Sequence, residues 1–195
     1  MKDDKIILDY LTHQIDIITE LKKNNDKIKE IFFRLFNAKK KGNTIYIIGN
    51  GGSASTASHF TSDLLKTSIT KGSKRFRAIS LTDNIPVILA WANDESYQDI
   101  FLEQLKNFLK KDDIVIGISG SGNSVNVINA IKYANKIKAI TISLTGKNGG
   151  KLAKISKTNL TIPSNDMLTI ETMHLCICHL LTTMIRSKGK PLFSY

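Results

Sequence analysis

The sequence predicts an α/β fold: a three-layer αβα sandwich around a five-stranded parallel, doubly wound sheet, preceded by an N-terminal helical extension. Three observations predict it. Apolar, β-branched runs of strand length recur along the 195 residues; amphipathic stretches separate them; and two of the runs end in turns rich in Gly and Ser. Strands alternating with helices at this spacing need crossovers, and crossovers make parallel sheets covered on both faces. With 42% hydrophobic and 23% charged residues, the chain has the make-up of a globular protein large enough for a real core.

Residues 3–23 set Ile6, Ile7, Tyr10, Leu11, Ile15, Ile18 and Leu21 on one helical stripe. A second helix over 26–40 turns Ile28, Ile31, Phe32, Leu35 and Phe36 inward. Apolar faces ahead of the first strand need something to cover, and a partner subunit suits. The domain plan is therefore an extension over 1–42 that packs on the domain and on partner subunits, a domain over 43–187, and a tail over 188–195.

The first strand, Ile45-Tyr46-Ile47-Ile48, turns through Gly49-Asn50-Gly51-Gly52 into a helix that offers Ser53, Ser55 and Thr56 near its start and extends to about Lys66. FRAISL (76–81) reads as the second strand. Pro86 opens a short helix, and Tyr97 to Leu109 reads as another amphipathic one. DIVIGIS (113–119) is the third strand, continuous and apolar as burial on both faces requires. It runs into Gly120-Ser121-Gly122-Asn123-Ser124 and a helix over 125–135. AITISLTG (139–146) is the fourth strand, Gly149-Gly150 opens a short helix, and NLTIP (159–163) is the fifth strand. A last helix spans Leu168 to Arg186.

The formal net charge is +11, yet 24 of the 28 basic residues are lysine, spread along the chain without interleaved aromatics. This is a solvated lysine surface suited to capturing anionic metabolites, not a nucleic-acid face. No apolar run approaches the ~20 residues of a membrane span, and charges interrupt the N-terminal stretch that an export signal would need. Cys176 and Cys178 lie two apart on one helix and cannot pair with each other. A reducing, cytoplasmic setting is expected.

Ligands of doubly wound sheets collect at the carboxyl ends of strands, where both glycine turns lie. A strand feeding a glycine turn and a helix N-terminus is an anion site, because amides point outward unpaired and the helix dipole favours negative charge. The segment GISGSGNS (117–124) adds Ser119, Ser121 and Ser124 around two glycines, a set that suits the outer oxygens of a phosphate. Neither turn is a nucleotide P-loop or a dinucleotide fingerprint. His59 and Asp63, four apart on one helix face, suit two ligands of one zinc ion, a base with its partner, or an ordinary surface pair. Glu171 and His179 are eight apart on the last helix, about 12 Å of rise and some 80° out of line. His174, three residues from Glu171, competes as the relevant histidine.

Several linked segments in order, YIIGNGGSASTASHF, LTDNIPVILAWAND, DIVIGISGSGNS, LTGKNGGKLA and IETMHLCICHLL, resemble sugar isomerase (SIS) domain proteins, most of all the phosphoheptose isomerases. The likeness covers about residues 30 to 187. It implies the SIS fold and conversion of sedoheptulose 7-phosphate to D-glycero-D-manno-heptose 7-phosphate through an enediol, feeding lipopolysaccharide or capsule synthesis. It implies substrate contacts from Asn50, Gly51, Gly52, Ser53, Asp63, Asn93, Asp94 and Glu171, with Ser119, Gly120, Ser121 and Ser124 holding the phosphate. It further implies Asp63 and His179 as the catalytic pair, one zinc ion per site on His59, Asp63, Glu171 and His179, and a homotetramer with active sites at subunit interfaces. Two positions depart from the family, which mostly has Glu in place of Asp63 and Gln in place of Glu171. The alternatives are a non-catalytic SIS protein that binds a sugar phosphate or the replication initiator, and an isomerase of another phosphosugar. The initiator-binding proteins are expected to lack the last histidine, which His179 provides here.

Overall fold

The computed structural model describes residues 2–23 and 25–193, so the last two residues of the tail lie outside the described residues. The first half runs α1 (Lys2–Lys23), α2 (Asp26–Lys41), β1 (Thr44–Gly49), α3 (Gly52–Ser62), β2 (Arg77–Ser80), α4 (Ile85–Asp94) and α5 (Leu102–Phe108). The second runs β3 (Ile114–Ser119), α6 (Val125–Lys136), β4 (Ile140–Gly146), α7 (Gly150–Ile155), β5 (Thr158–Ile162) and α8 (Met167–Arg186). All five strands are parallel, in the order β2-β1-β3-β4-β5.

Every residue of β1 and β3 is buried, as befits central strands covered on both faces. On one face α2, α3 and α8 contribute Phe32, Leu35, Phe60, Ile170 and Ile177 to a core with Ile45, Ile47 and Ile116 of the sheet. On the other, Phe101, Leu105, Val127, Ile131 and Leu152 meet Tyr46, Ile48 and Val115. This alternation within β1 is the two-residue period of a strand read out on two cores. α2 is thus a layer of the sandwich. α1 is not: it buries only Gln14 and Ile17, and Ile6, Ile7, Leu8, Leu11 and Ile15 are each more than half exposed. α4 buries none of its residues, with Ile85 and Leu89 exposed.

Three expectations are corrected. The helix expected over 97–109 exists only from Leu102, because Ser96 folds the preceding segment into a turn: its carbonyl accepts from the Asp99 amide and its hydroxyl from the Gln98 amide. The helix after the first glycine turn is α-helical only to Ser62; 63–67 form a π-helical turn closed by the Ser68 amide donating to the Asp63 carbonyl. And α8, by length and composition, is apolar enough to cross a membrane. Its apolarity has a use inside the sandwich, since half of that stretch is buried against the sheet and α3.

α8 sits on β4 with no room to spare. A Cβ added to Gly146 would meet Ile170 Cγ1 at 2.6 Å. One turn on, fully buried His174 donates through Nε2 to the Thr145 carbonyl at 3.1 Å, leaving Nδ1 without a partner. Because a carbonyl only accepts, the proton sits on Nε2 and the ring is neutral. Burial pushes its pKa down from 6.5 to about 4. His174 is therefore a core histidine that docks α8.

Gly146→Ala should destabilise the fold by about 1–3 kcal/mol through overpacking against Ile170, read as a lower urea midpoint with unchanged m-value. The pH dependence of His174 has a definite sign. Unfolded chains take up its proton near 6.5 and the folded chain near 4, so stability falls as pH falls between those values, by up to about 1.4 kcal/mol per pH unit. His174→Gln should flatten that part of the urea-derived stability profile; an unchanged slope would contradict the assignment.

Candidate active site

Because β1 and β3 are hydrogen-bonded neighbours while the chain leaves them toward opposite faces, both glycine turns open on one crevice at the switch in strand order. Asn50, just after β1, and Asn126, in the first turn of α6 after β3, bridge it through their side-chain amides at 2.9 Å. The Tyr97 hydroxyl donates to Asn50 Oδ1 at 3.0 Å. Neither Asn126 nor Tyr97 was expected from the sequence. For Asn126 the available signal was an asparagine in the first turn of the helix after the serine loop; for Tyr97 there was none, since its segment read as helix.

The turn after β1 has Gly51 at φ +54°, ψ −126°, a region open to glycine alone. No side chain caps α3, so the first-turn amides of Gly52 and Ser53 have no intrahelical acceptor. Ser53 is buried. The Glu171 carboxyl lies directly over Gly52, where a Cβ would approach its Cδ to 2.6 Å. A carboxylate at this helix N-terminus sits at the favourable end of the dipole.

After β3 the serine loop closes on itself. Ser119 Oγ lies 3.0 Å from Ser124 Oγ and 3.5 Å from Ser121 Oγ. Ser121 Oγ also accepts from the Asn123 amide. Ser124 is the N-cap of α6 but its hydroxyl makes no capping bond, which leaves the helix end open to an anion. The loop is held from outside: the Gly146 amide donates to the Gly120 carbonyl, the Leu152 amide to the Gly122 carbonyl, and the Lys151 amide to Asn123 Oδ1. Gly122, at φ +65°, lies against the Gly149 backbone, where a side chain would collide.

The third group lies along the same helix pair. α3 and α8 pack side by side, Gly52 against Glu171 and His59 against His179. The His59 and His179 Nε2 atoms are 3.0 Å apart, and Asp63 Oδ2 is 3.8 Å from each. Both rings are about half exposed, whereas the Asp63 side chain is 12% exposed. One ligand atom from each lies within 4.8 Å of the others, close enough to share a metal ion, and the imidazole–carboxylate set is the kind zinc takes. Asp63 and His179, with Thr67, Thr182, Thr183 and Arg186, also line an open cavity of about 320 Å³.

Of the four expected metal positions, then, three converge and Glu171 stands apart at Gly52, as its eight-residue offset from His179 implies. Asn93 and Asp94 end exposed α4, where the Asn93 amide donates to Asp94 Oδ1 at 2.7 Å. Among the described residues no hydrogen bond ties either to the serine loop.

A sequence profile of the family described as SIS domain matches residues 9–146. A phosphoheptose isomerase of Aliarcobacter butzleri is 38% identical over 181 residues, 92% of this chain and 95% of that protein. A probable phosphoheptose isomerase of Thermoplasma acidophilum is 40% identical over 165 residues, 85% of this chain and 90% of that one. Among solved structures, the phosphoheptose isomerase of Francisella tularensis superposes with a TM-score of 0.88 at 28% identity, covering 96% of this chain and all of that one. That of Neisseria gonorrhoeae gives 0.87 at 28% identity, covering 94% and 98%. With its crevice, its serine loop and its family likeness over nearly its whole length, the chain belongs to the SIS domain family, among the phosphoheptose isomerases.

Proposed function

We propose that the protein is an aldose–ketose isomerase that converts sedoheptulose 7-phosphate to D-glycero-D-manno-heptose 7-phosphate for nucleotide-heptose synthesis. The observation that carries this reading is the convergence of His59, Asp63 and His179 on the helix pair that also borders the glycine turns. A protein that only bound a sugar phosphate would need the serine loop alone.

The phosphate is held by the hydroxyls of Ser119, Ser121 and Ser124, the Gly120 backbone and the open end of α6. Asn50, Gly51, Gly52, Ser53 and Glu171 line the crevice for the sugar hydroxyls, joined by Asn93 and Asp94. Anchoring the inert end fixes the reacting end, so remote binding energy is spent on orientation. Asp63 takes a proton from C1 of the ketose and returns it to C2 of the enediol. His179 moves the hydroxyl proton from O1 to O2, which balances the reaction. Asp63 is one methylene shorter than the family's usual Glu, yet its Oδ2 comes within 3.8 Å of both rings. A divalent ion, zinc by its donor set, would be held by His59, Asp63 and His179; Glu171 remains at Gly52 and would have to leave it to join them. Such an ion supplies Lewis-acid polarisation of the carbonyl.

The uncovered apolar stripe of α1 and the exposed face of α4 support a homotetramer whose active sites lie at subunit boundaries, bringing elements that stand apart in one chain to a shared site. We place the enzyme in the cytoplasm, where phosphorylated ketoses are available and its two free thiols stay reduced.

Asp63→Asn should lower turnover by about 10²–10⁴-fold while phosphate-ester affinity stays close to wild type, as followed by NMR of deuterium entering C1 and C2 in D₂O. Unchanged turnover would remove Asp63 from the mechanism, and exchange only with a shorter ketose phosphate would reassign the substrate. His59→Ala should release bound zinc, measured by elemental analysis of the purified protein. Light scattering that gave a single-chain mass would refute the tetramer.

A further inference from the structure

At the other end of the sheet lies a cavity that the reaction does not use. The end of α2 leads into β1, and 70–74 precede β2, so both lie at the amino ends of the strands, away from the serine loop. Between them and Lys188, beyond α8, is a space of about 290 Å³ lined by Phe36, Lys39, Lys40, Ser73, Lys74 and Lys188 among others. Among the described residues no carboxylate lines it.

Lys39 is the informative residue. Only 5% of it is exposed, and its ammonium donates to Ser73 Oγ at 3.0 Å and lies 5.2 Å from the Phe76 ring centre. Among the described residues, none of Lys39, Lys40, Lys74 and Lys188 pairs with an acid. Buried charges are normally paired, because desolvation alone is costly. Here burial and the nearby Arg75 charge both push the Lys39 pKa down, so the free protein holds a cation in surroundings that disfavour it. The other cations are held in place: the Lys40 ammonium lies 4.8 Å from the Phe36 ring centre, the Lys188 ammonium 5.6 Å from that of Phe32, and Lys74 Nζ donates to the Lys40 carbonyl at 2.8 Å.

We infer that this cavity is a second anion site, which takes a small organic polyanion bearing two or more phosphoryl groups. Several ammoniums suit clustered phosphoryl charge, and the Phe36 wall suits an apolar portion of the ligand. The inference does not depend on the isomerase reading.

Titration calorimetry with inorganic pyrophosphate on the full chain tests it, against sodium chloride at matched ionic strength so that screening alone is subtracted. One pyrophosphate per chain should bind Ser119→Ala/Ser124→Ala, in which the strand-end loop is disabled. Lys39→Met should weaken that binding by about tenfold or more. Should Lys39→Met not fold, Lys74→Gln/Lys188→Gln, two changes at the surface, should give the same loss. Binding that disappears with the serines and survives the lysine changes would overturn the inference. So would binding untouched by both sets, or a heat no larger than that of the chloride control.

Discussion

The pairing of β1 with β3 is the constraint on which the rest depends. Their register joins Ile45 to Ile114 and Gly49 to Ile118, so the two strands end together although some 65 residues of chain separate them. The meeting of the two glycine turns follows from that adjacency. α3 leaves toward one face and α6 toward the other, and their uncapped N-termini face a common crevice that the Asn50–Asn126 bridge spans. Two helix ends with free amides at one place are a strong anion environment before any cationic side chain is counted. This fits the proposed role of the serine loop, which carries no lysine, in holding a phosphate.

The second level of organisation is the side-by-side packing of α3 and α8. It divides the chemistry along one axis, with Glu171 over Gly52 at the strand tips and the His59–Asp63–His179 group further along. The π-helical turn begins at Asp63 itself. Such turns widen a helix locally and often occur at functional sites, and here one coincides with the shorter carboxylate. The same α8 carries Ile170, His174 and Ile177 into the core on its opposite face. One helix thus answers to two sets of demands, which explains why its composition is apolar enough to be mistaken for a membrane segment.

Much of this was legible in the sequence, for physical reasons. Strands buried on both faces must be continuous apolar runs, so β1, β3 and β4 stood out, and glycine turns fixed their carboxyl ends. The offset of Glu171 from His179 followed from helix geometry alone, and the structure keeps them apart. What stayed hidden depended on contacts between distant segments. The 97–101 turn looked helical because its side-chain pattern is amphipathic; the Tyr97–Asn50 bond that gives it a place is not a local property. His174 and His179 were separated by the family resemblance and not by their own sequence surroundings; the structure puts the Thr145 carbonyl beneath one and His59 beside the other. The buried state of Lys39 was equally invisible, since it stands in a run of three lysines that reads as an ordinary solvated helix end.

The contact between Gly52 and Glu171 ties together two positions far apart in the chain. Because the carboxyl occupies the volume that a side chain at 52 would need, any larger residue there would push the flexible end of Glu171 off the start of α3. The negative charge at 171 therefore keeps its place over the α3 amides only for as long as position 52 carries no side chain.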